Sequence, residues 1–173
     1  MRTTLFSLLF LIGTQSCSGQ SSHETETEKI TPSKDLITKI DTKDSLSITG
    51  VKTIPLNVFS RKELKYLSIW GQDCDIAEME CFAISEIPNE IEKLEKLEEL
   101  HLTLNYITTL PSQILTLKKL RVLDLSENPG FRDLNKIVRM TWLEEFYCFG
   151  CHISKAELET LKKELPNCKI GTD

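Results

Sequence analysis

An Ile/Leu-Pro-x-x-Ile/Val segment occurs three times and constrains the fold of this chain more than any other feature. The segments begin at Ile54, Ile87 and Leu110, and a leucine follows ten residues after each of these positions. The second proline lies 33 residues after the first, and the third lies 23 residues after the second. The longer distance can be read as the shorter one plus a ten-residue insertion. A fixed period in this range indicates stacked repeats, in which no single unit can bury its own apolar face.

Two consecutive units carry the same pattern of apolar residues and asparagine. Alternating leucines at the start of each unit share one face of a strand. After the asparagine, the apolar spacing changes to the three-and-four type, which suits a helical or 3₁₀ turn on the opposite side. A buried asparagine at this exit from the strand can bond to neighbouring backbone groups. The units read Leu97-x-x-Leu100-x-Leu102-x-x-Asn105-x-Ile107-x-x-Leu110 and Leu120-x-x-Leu123-x-Leu125-x-x-Asn128.

This pattern resembles the leucine-rich repeat, whose units read L-x-x-L-x-L-x-x-N/C-x-L. Gln72 takes the asparagine position of the preceding unit, and Cys151 takes that position in the following unit. A degenerate first unit is expected from Asp44, and a last strand near Ile170. The resemblance implies an α/β fold over residues 44–173. We expect a short solenoid with a parallel concave sheet, a helical or 3₁₀ convex side and a C-terminal capping helix.

The repeat is interrupted twice and is closed by a helix signal. Residues 73–82 form the ten-residue insertion, which we expect to be a loop. The segment 129–131, Pro-Gly-Phe, shifts the following unit by one residue and predicts an irregular convex side there. Ser154-x-x-Glu157 is a capping box, which predicts a helix over 155–165. This amphipathic helix would cover the open apolar end of the last unit.

The N-terminal segment has the layout of a secretory leader. Residues 1–16 contain an apolar run, 5–12, that is too short to span a bilayer, and Cys17 follows directly. Cys17 resembles the lipid-modified cysteine of bacterial lipoproteins, and the alternative is an ordinary leader cut after Ser16 or Gly19. Residues 18–43 are polar, rich in Ser, Thr, Glu and Lys, and predict a flexible tether. Together, 17–43 would connect a membrane anchor to the repeat domain.

Six cysteines in an exported chain suggest disulfides. Cys74 and Cys81 lie in the insertion, outside the core positions of the repeat, and we predict a bridge between them. Cys148 and Cys151 fit core positions, and an extended strand would hold them about 10 Å apart on opposite faces. We therefore expect Cys148 and Cys151 to be buried thiols, and we expect the same of Cys168. No second Cys/His pair at zinc spacing follows, so we expect no metal site.

The strand positions that point away from the core are the candidate ligand site. Neighbouring strands lie about 4.8 Å apart, so Ser68, His101, Asp124 and Tyr147 should form a row. Exposed aromatic side chains are typical anchors of binding surfaces. The alternative is that Trp70 and Phe149 cover core edges or the insertion. The candidate ligand-binding residues are Tyr66, Trp70, Glu99, His101, Asp124, Tyr147 and Phe149.

The predicted function is non-catalytic binding of a protein or peptide ligand by an exported monomer. We expect lipidated Cys17 to anchor the chain at the cell envelope, either in the periplasm or on the cell surface. Without this anchor, we expect the chain to be secreted. The formal net charge of −5, without a basic stripe, gives no indication of nucleic-acid binding, and no cofactor is expected. One alternative is a structural envelope component without a specific ligand. Another is a hydrolase using His101 and Asp124, although no nucleophile or oxyanion donor accompanies them.

Overall fold

Seven strands form one sheet in sequence order within residues 37–71 and 82–173, the part of the chain that the computed structural model describes. The first pair is antiparallel, and every later pair is parallel. Parallel neighbours that are consecutive in sequence require a crossover between them, and the repeat supplies one in each unit. The strands are β1 (Ile37–Asp41), β2 (Ser45–Thr49), β3 (Tyr66–Trp70), β4 (Glu99–His101), β5 (Val122–Asp124), β6 (Glu145–Tyr147) and β7 (Lys169–Gly171).

Short helices form the opposite, convex side. Three 3₁₀ helices, Leu56–Ser60, Asn89–Lys93 and Ser112–Thr116, each follow the proline of an Ile/Leu-Pro segment. Proline fixes φ near the helical value and lacks an N–H group, so it suits a helix start. In the unit after residues 129–131, an α-helix, α1 (Leu134–Ile137), replaces the 3₁₀ helix. The predicted irregularity of this convex side is therefore confirmed.

A continuous apolar core lies between the sheet and the convex helices. The leucines of the strand pattern are fully buried, as are Ile91 and Ile114 of the convex turns. Burying one leucine side chain contributes about 1.5–3 kcal/mol, so the repeat leucines supply the main stabilisation. The predicted α/β solenoid with a parallel sheet is confirmed. The repeat positions with no exposed surface include Leu64, Leu67, Ile69, Leu97, Leu100, Leu102, Leu120, Leu123 and Leu125.

Two buried asparagines fix the exit of the chain from the sheet. Asn128 Nδ2 donates to the carbonyl groups of Leu102 and Leu125, both at 2.8 Å. Its Oδ1 accepts from the Ile107 N–H at 2.9 Å. Asn105 repeats the arrangement one unit earlier, accepting from the Ile84 N–H at 2.9 Å. The predicted role of these asparagines is confirmed, and each one connects two neighbouring units.

The residue before the asparagine position turns the backbone into the left-handed region. Leu104 and Glu127 both have φ of 58°, and Gly150 has φ of 69° in the equivalent position. Gly71 occupies this position after β3, where a Cβ atom would lie 1.6 Å from the carbonyl oxygen of Leu104. A side chain cannot be placed there, so Gly71 permits the close approach of two adjacent turns.

The N-terminal edge differs from the prediction for residues 18–43. Strand β1 lies within this segment and pairs with β2, so the polar segment is not a tether throughout. Thr42 accepts a hydrogen bond from the Ser45 N–H at 3.1 Å in the turn between the two strands. Arg61 forms an ion pair with Asp41 at 2.6 Å. Pairing with β1 satisfies backbone groups of β2 that an edge strand would leave open.

The C-terminal end has the predicted capping helix and last strand. Helix α2 (Lys155–Glu164) begins with a capping box, in which Ser154 Oγ accepts from the Glu157 N–H and the Glu157 carboxylate accepts from the Ser154 N–H. Leu161 and Leu165 are buried against the core. Strand β7 then pairs with β6. No helix in the described ranges is long and apolar enough to cross a membrane.

The prediction that Cys148 and Cys151 are free thiols is wrong, because they form a disulfide. Strand β6 ends at Tyr147, and the next residues turn through the left-handed Gly150. This turn brings the two Cα atoms to 5.4 Å instead of the distance expected along an extended strand. Both cysteines are buried, so their core positions and the repeat register are correct. Cys168 is free and partly buried.

Candidate ligand-binding face

The side of β2–β7 that points away from the core carries the candidate site, and we call it the concave face. Its side chains form rows, because parallel neighbours pair without an offset. The structure brings together the predicted row and places Tyr66 and Glu99 in the row beside it. The first row is Tyr66, Glu99, Val122, Glu145 and Lys169; the second is Ser68, His101, Asp124, Tyr147 and Gly171.

His101 lies between two carboxylates in the middle of the concave face. Its Nε2 is 3.4 Å from Glu99 Oε2, and its Nδ1 is 3.6 Å from Asp124 Oδ2. The imidazole ring also contacts the Tyr66 ring, with 5.2 Å between centroids. Hydrogen bonding with Asp124 raises the pKa of His101 above its ordinary value, assisted by Glu99, and outweighs the opposing effect of burial.

Asp124 is held by the turn that follows its strand. Its Oδ1 accepts from the Ser126 N–H at 2.9 Å, and the Thr103 hydroxyl lies 3.5 Å from Oδ2. Partial burial would raise the pKa of Asp124, but the interactions with His101 and Ser126 dominate and lower it. A carboxylate fixed in this way stays ionised and keeps one orientation.

A second polar cluster occupies the C-terminal end of the concave face. The Tyr147 hydroxyl donates to Glu145, and Lys169 Nζ donates to the Tyr147 hydroxyl oxygen at 2.7 Å. Lys169 also pairs with Glu145 at 3.3 Å. The hydrogen bond from Tyr147 and then that from Lys169 lower the pKa of Glu145. Sequence reasoning missed Lys169, although its position two residues before Gly171 in the last strand matches Glu145 in β6.

Aromatic side chains flank the polar middle of the face. Trp70, at the end of β3, is 47% exposed, and Phe149, just beyond β6, is 43% exposed. Phe149 stacks on Tyr147 with 6.2 Å between ring centroids, and its N–H donates to Ser126 Oγ at 3.3 Å. Phe149 is therefore partly supported by the fold, and both rings are accessible to a ligand.

A ladder of alternating charges borders the concave face, directly before the strands, and sequence reasoning missed it. Glu98 pairs with Lys65 at 3.3 Å and with Arg121 at 3.8 Å. Arg121 also pairs with Glu144 at 2.8 Å. The signal in the sequence is the sign of the residue that precedes each strand, which alternates from Asp44 to Glu144. These charges therefore pair with one another along the border of the face.

The geometry gives little support to the alternative of a hydrolase that uses His101 and Asp124. Ser126, the hydroxyl closest to Asp124 in sequence, accepts from the Phe149 N–H and is buried. No cluster of metal-ligating side chains occurs among the residues that the structure describes. A cavity of about 520 Å³ lies between α1 and α2. Its lining includes Arg132, Asn135, Thr160 and Glu164, and His101 is not part of it. The predicted cysteines Cys17, Cys74 and Cys81 lie outside the described residues.

Solved structures with a similar fold are leucine-rich repeat proteins. The leucine-rich repeat protein LIC12759 of Leptospira interrogans is 29% identical, with a TM-score of 0.48, over 68% of this chain and 33% of that chain. The ectodomain of the receptor kinase SOBIR1 of Arabidopsis thaliana is 19% identical, with a TM-score of 0.44, over 75% and 65%. An internalin (inlF) of Listeria monocytogenes is 16% identical, with a TM-score of 0.35, over 74% and 47%.

This chain therefore spans between 33% and 65% of the length of those chains. No family model matches the sequence, and no curated protein matches it. The class follows from the chain's own features: strands in parallel register, asparagine-fixed turns and proline-started 3₁₀ helices define a leucine-rich repeat solenoid.

Proposed function

We propose that this chain is an exported, non-catalytic repeat module that binds a protein or peptide ligand on its concave face. The observation that carries the proposal is the exposure of Trp70 and Phe149 on a sheet whose opposite side is a continuous core. Large aromatic side chains held on a fixed surface lose little entropy on binding and act as anchors. Polar groups between the two rings supply specificity for a ligand that crosses the strands.

Hydrogen bonds support the proposal by holding the polar side chains before a ligand arrives. Asp124 is fixed by the Ser126 N–H, and Tyr147 is fixed between Glu145 and Lys169. Groups that are already oriented cost less entropy when they bind. A surface whose only role was to remain soluble would not need this order. The arrangement fits a ligand-binding face better than an inert wall of an envelope component.

Site-specific photo-crosslinking in intact cells tests the binding role. A photoreactive residue at Thr103 lies in the middle of the concave face, whereas the same residue at Lys93 lies on an exposed convex turn. We expect a discrete protein adduct from position 103 and none from position 93. Equal adducts from both positions, or adducts from position 93 alone, would place the ligand elsewhere and contradict the proposal.

Alanine substitutions identify the anchors once that adduct provides the ligand. Trp70→Ala and Tyr147→Ala should each weaken binding by about 1–2 kcal/mol, the cost of removing an aromatic anchor. Because these side chains lie on the open face, the melting temperature should change little. Lys93→Ala is the matched control and should leave affinity unchanged. Unfolding of the Trp70→Ala protein would show that this ring belongs to the core.

The proposal includes attachment to the membrane through lipidated Cys17, in a chain that acts as a monomer. Its support is the apolar run followed by cysteine and a polar segment, as given by the sequence. Mass spectrometry of the native protein tests the modification. We expect an acylated N-terminal Cys17 and release of the Cys17→Ala protein from the membrane fraction. An unmodified N-terminus would exclude the anchor without affecting the binding role.

A further inference from the structure

We propose that the concave face recognises a cationic segment of its ligand, placing a Lys or Arg side chain against the Glu99 and Asp124 carboxylates beside His101. Apolar side chains on either side of that cation would contact Trp70 and Phe149. This inference rests on the proposed binding function and specifies the chemistry of the ligand. Its basis is the distribution of charge and aromatic surface on the described part of the face.

The charges of the face leave an excess of carboxylate in its middle. At the C-terminal end, Glu145 is neutralised by Lys169 at 3.3 Å. In the middle, the His101 ring contacts the carboxylates of both Glu99 and Asp124. Even a protonated His101, the form that these contacts favour, balances only one of the two negative charges. Complementary charge on the ligand would satisfy this excess, and such complementarity gives specificity to interfaces.

Arg121 attracts Glu99 electrostatically, but its close partners lie elsewhere. Arg121, directly before β5, pairs with Glu144 at 2.8 Å and with Glu98 at 3.8 Å. The Tyr66 ring on β3, which packs against His101, carries no positive charge. In the described part of the face, protonated His101 is therefore the cation in contact with both carboxylates.

Both carboxylates retain capacity to accept further hydrogen bonds. Asp124 uses Oδ1 for the Ser126 N–H and turns Oδ2 toward His101 and Thr103. Glu99 approaches His101 through Oε2 alone. An ionised carboxylate accepts about four hydrogen bonds, so a guanidinium or ammonium group can bind without breaking the existing contacts. The half-buried position of both groups strengthens such a pair relative to one in bulk water.

The spacing of the aromatic rings defines the length of the recognised segment. Trp70 follows β3 and Phe149 follows β6, so three strand-to-strand steps separate them. Three steps amount to about 14 Å, which an extended peptide covers in about four residues. The recognised segment would therefore carry two apolar residues about four positions apart, with Lys or Arg between them.

The test is selection from a random dodecapeptide library on the immobilised full chain. We expect selected peptides to carry Lys or Arg between two apolar residues. A synthetic peptide with the selected sequence should bind the Glu99→Gln/Asp124→Asn protein about tenfold or more weakly, the effect of removing close charge partners. The Glu92→Gln/Glu95→Gln protein has the same net charge but is altered on exposed positions outside the face, and its affinity should stay within twofold.

Each outcome separates the cation inference from the binding proposal. Selected peptides without Lys or Arg, or equal losses in the two double variants, would overturn the cation inference and leave peptide binding intact. Selection of no peptide at all would count against both. Circular dichroism establishes that the double variant is folded. If it is not, Glu99→Gln alone, which changes one surface carboxylate, should still weaken the peptide about threefold, and no change would overturn the inference.

Discussion

The middle and the C-terminal end of the solenoid use different chemistry at the same repeat position. In the middle, Asn105 and Asn128 fix the turn after the strand through hydrogen bonds to two neighbouring units. At the end, Cys151 occupies this position and is joined to Cys148 within its own unit. The register across β4, β5 and β6 is nevertheless the same.

The difference shows what the repeat position must achieve. An asparagine side chain can both donate and accept hydrogen bonds, so it can bond to the strand before it and to the turn beside it. Asn128 bonds to its own unit through Leu125 and to the preceding unit through Leu102 and Ile107. The link between Cys148 and Cys151 instead closes the turn within one unit. The position therefore demands a fixed turn, and hydrogen bonds or a disulfide can both provide it.

The largest expected effect is loss of a core leucine in the middle. Leu102→Ala should lower the free energy of unfolding by about 2–5 kcal/mol, because it leaves a cavity in a fully buried site. Leu100→Ala and Leu123→Ala should cost similar amounts. Thr103→Ala, one residue further and on the open face, should be nearly neutral. Urea titrations measure the difference, and equal losses at Leu102 and Thr103 would contradict the alternating strand.

Asn128→Ala should be the next most destabilising change, at about 2–4 kcal/mol. The substitution removes bonds to three carbonyl groups and leaves the buried Ile107 N–H without its acceptor. Asn135→Ala, in the exposed part of α1, is the matched control and should change stability by less than about 0.5 kcal/mol. If both variants unfold at the same urea concentration as the wild type, asparagine does not fix the turns.

The sequence predicts the middle of the molecule better than its ends. The leucine alternation, the buried asparagines and the capping box at Ser154 are local patterns with one physical solution each, and the structure has all of them. Strand β1 was not expected, because polar composition indicated a tether for residues 18–43. Strand β1 pairs with the edge of β2, and this edge exists only once the rest of the sheet has folded.

The candidate site follows from the strand register, but its contacts do not. The register alone places Asp124 directly beside His101, and it places Tyr147 two strands away from His101. The bond from Lys169 to Tyr147 and the alternating charges before the strands are relations between units, and no single unit contains them. The disulfide was missed because the strand was assumed to continue through Cys148, whereas it ends at Tyr147.

Removing the disulfide should cost about 2 kcal/mol, the loop-closure contribution expected for so short a link. The Cys148→Ala/Cys151→Ala protein should therefore unfold at lower urea than the wild type, and reducing agent should bring the wild type close to it. Cys168→Ala, which removes a free thiol, should leave the response to reductant unchanged. Insensitivity of the wild type to reductant would mean that the two ends of this turn are held by packing alone.

The smallest expected effect is the pH dependence of stability that His101 contributes in the middle of the concave face. The pKa of His101 is raised, chiefly by Asp124, so protonated His101 favours the folded state. Its contribution is complete below the ordinary value of 6.5 and disappears as pH rises through the raised pKa. Because the group is partly exposed, the contribution should be only a few tenths of a kcal/mol.

Unfolding curves of the wild type and His101→Gln proteins at several pH values measure this contribution. The difference in stability should be largest in acid and should vanish as pH rises above the raised pKa. In the Asp124→Asn background the same comparison should show a smaller difference, since the main cause of the shift is gone. Lys169, whose pKa is raised by Tyr147 and Glu145, stays charged throughout this range. A pH dependence near neutral pH that survived in the His101→Gln protein would have to arise from another group, since Asp124, whose pKa is lowered, titrates in acid.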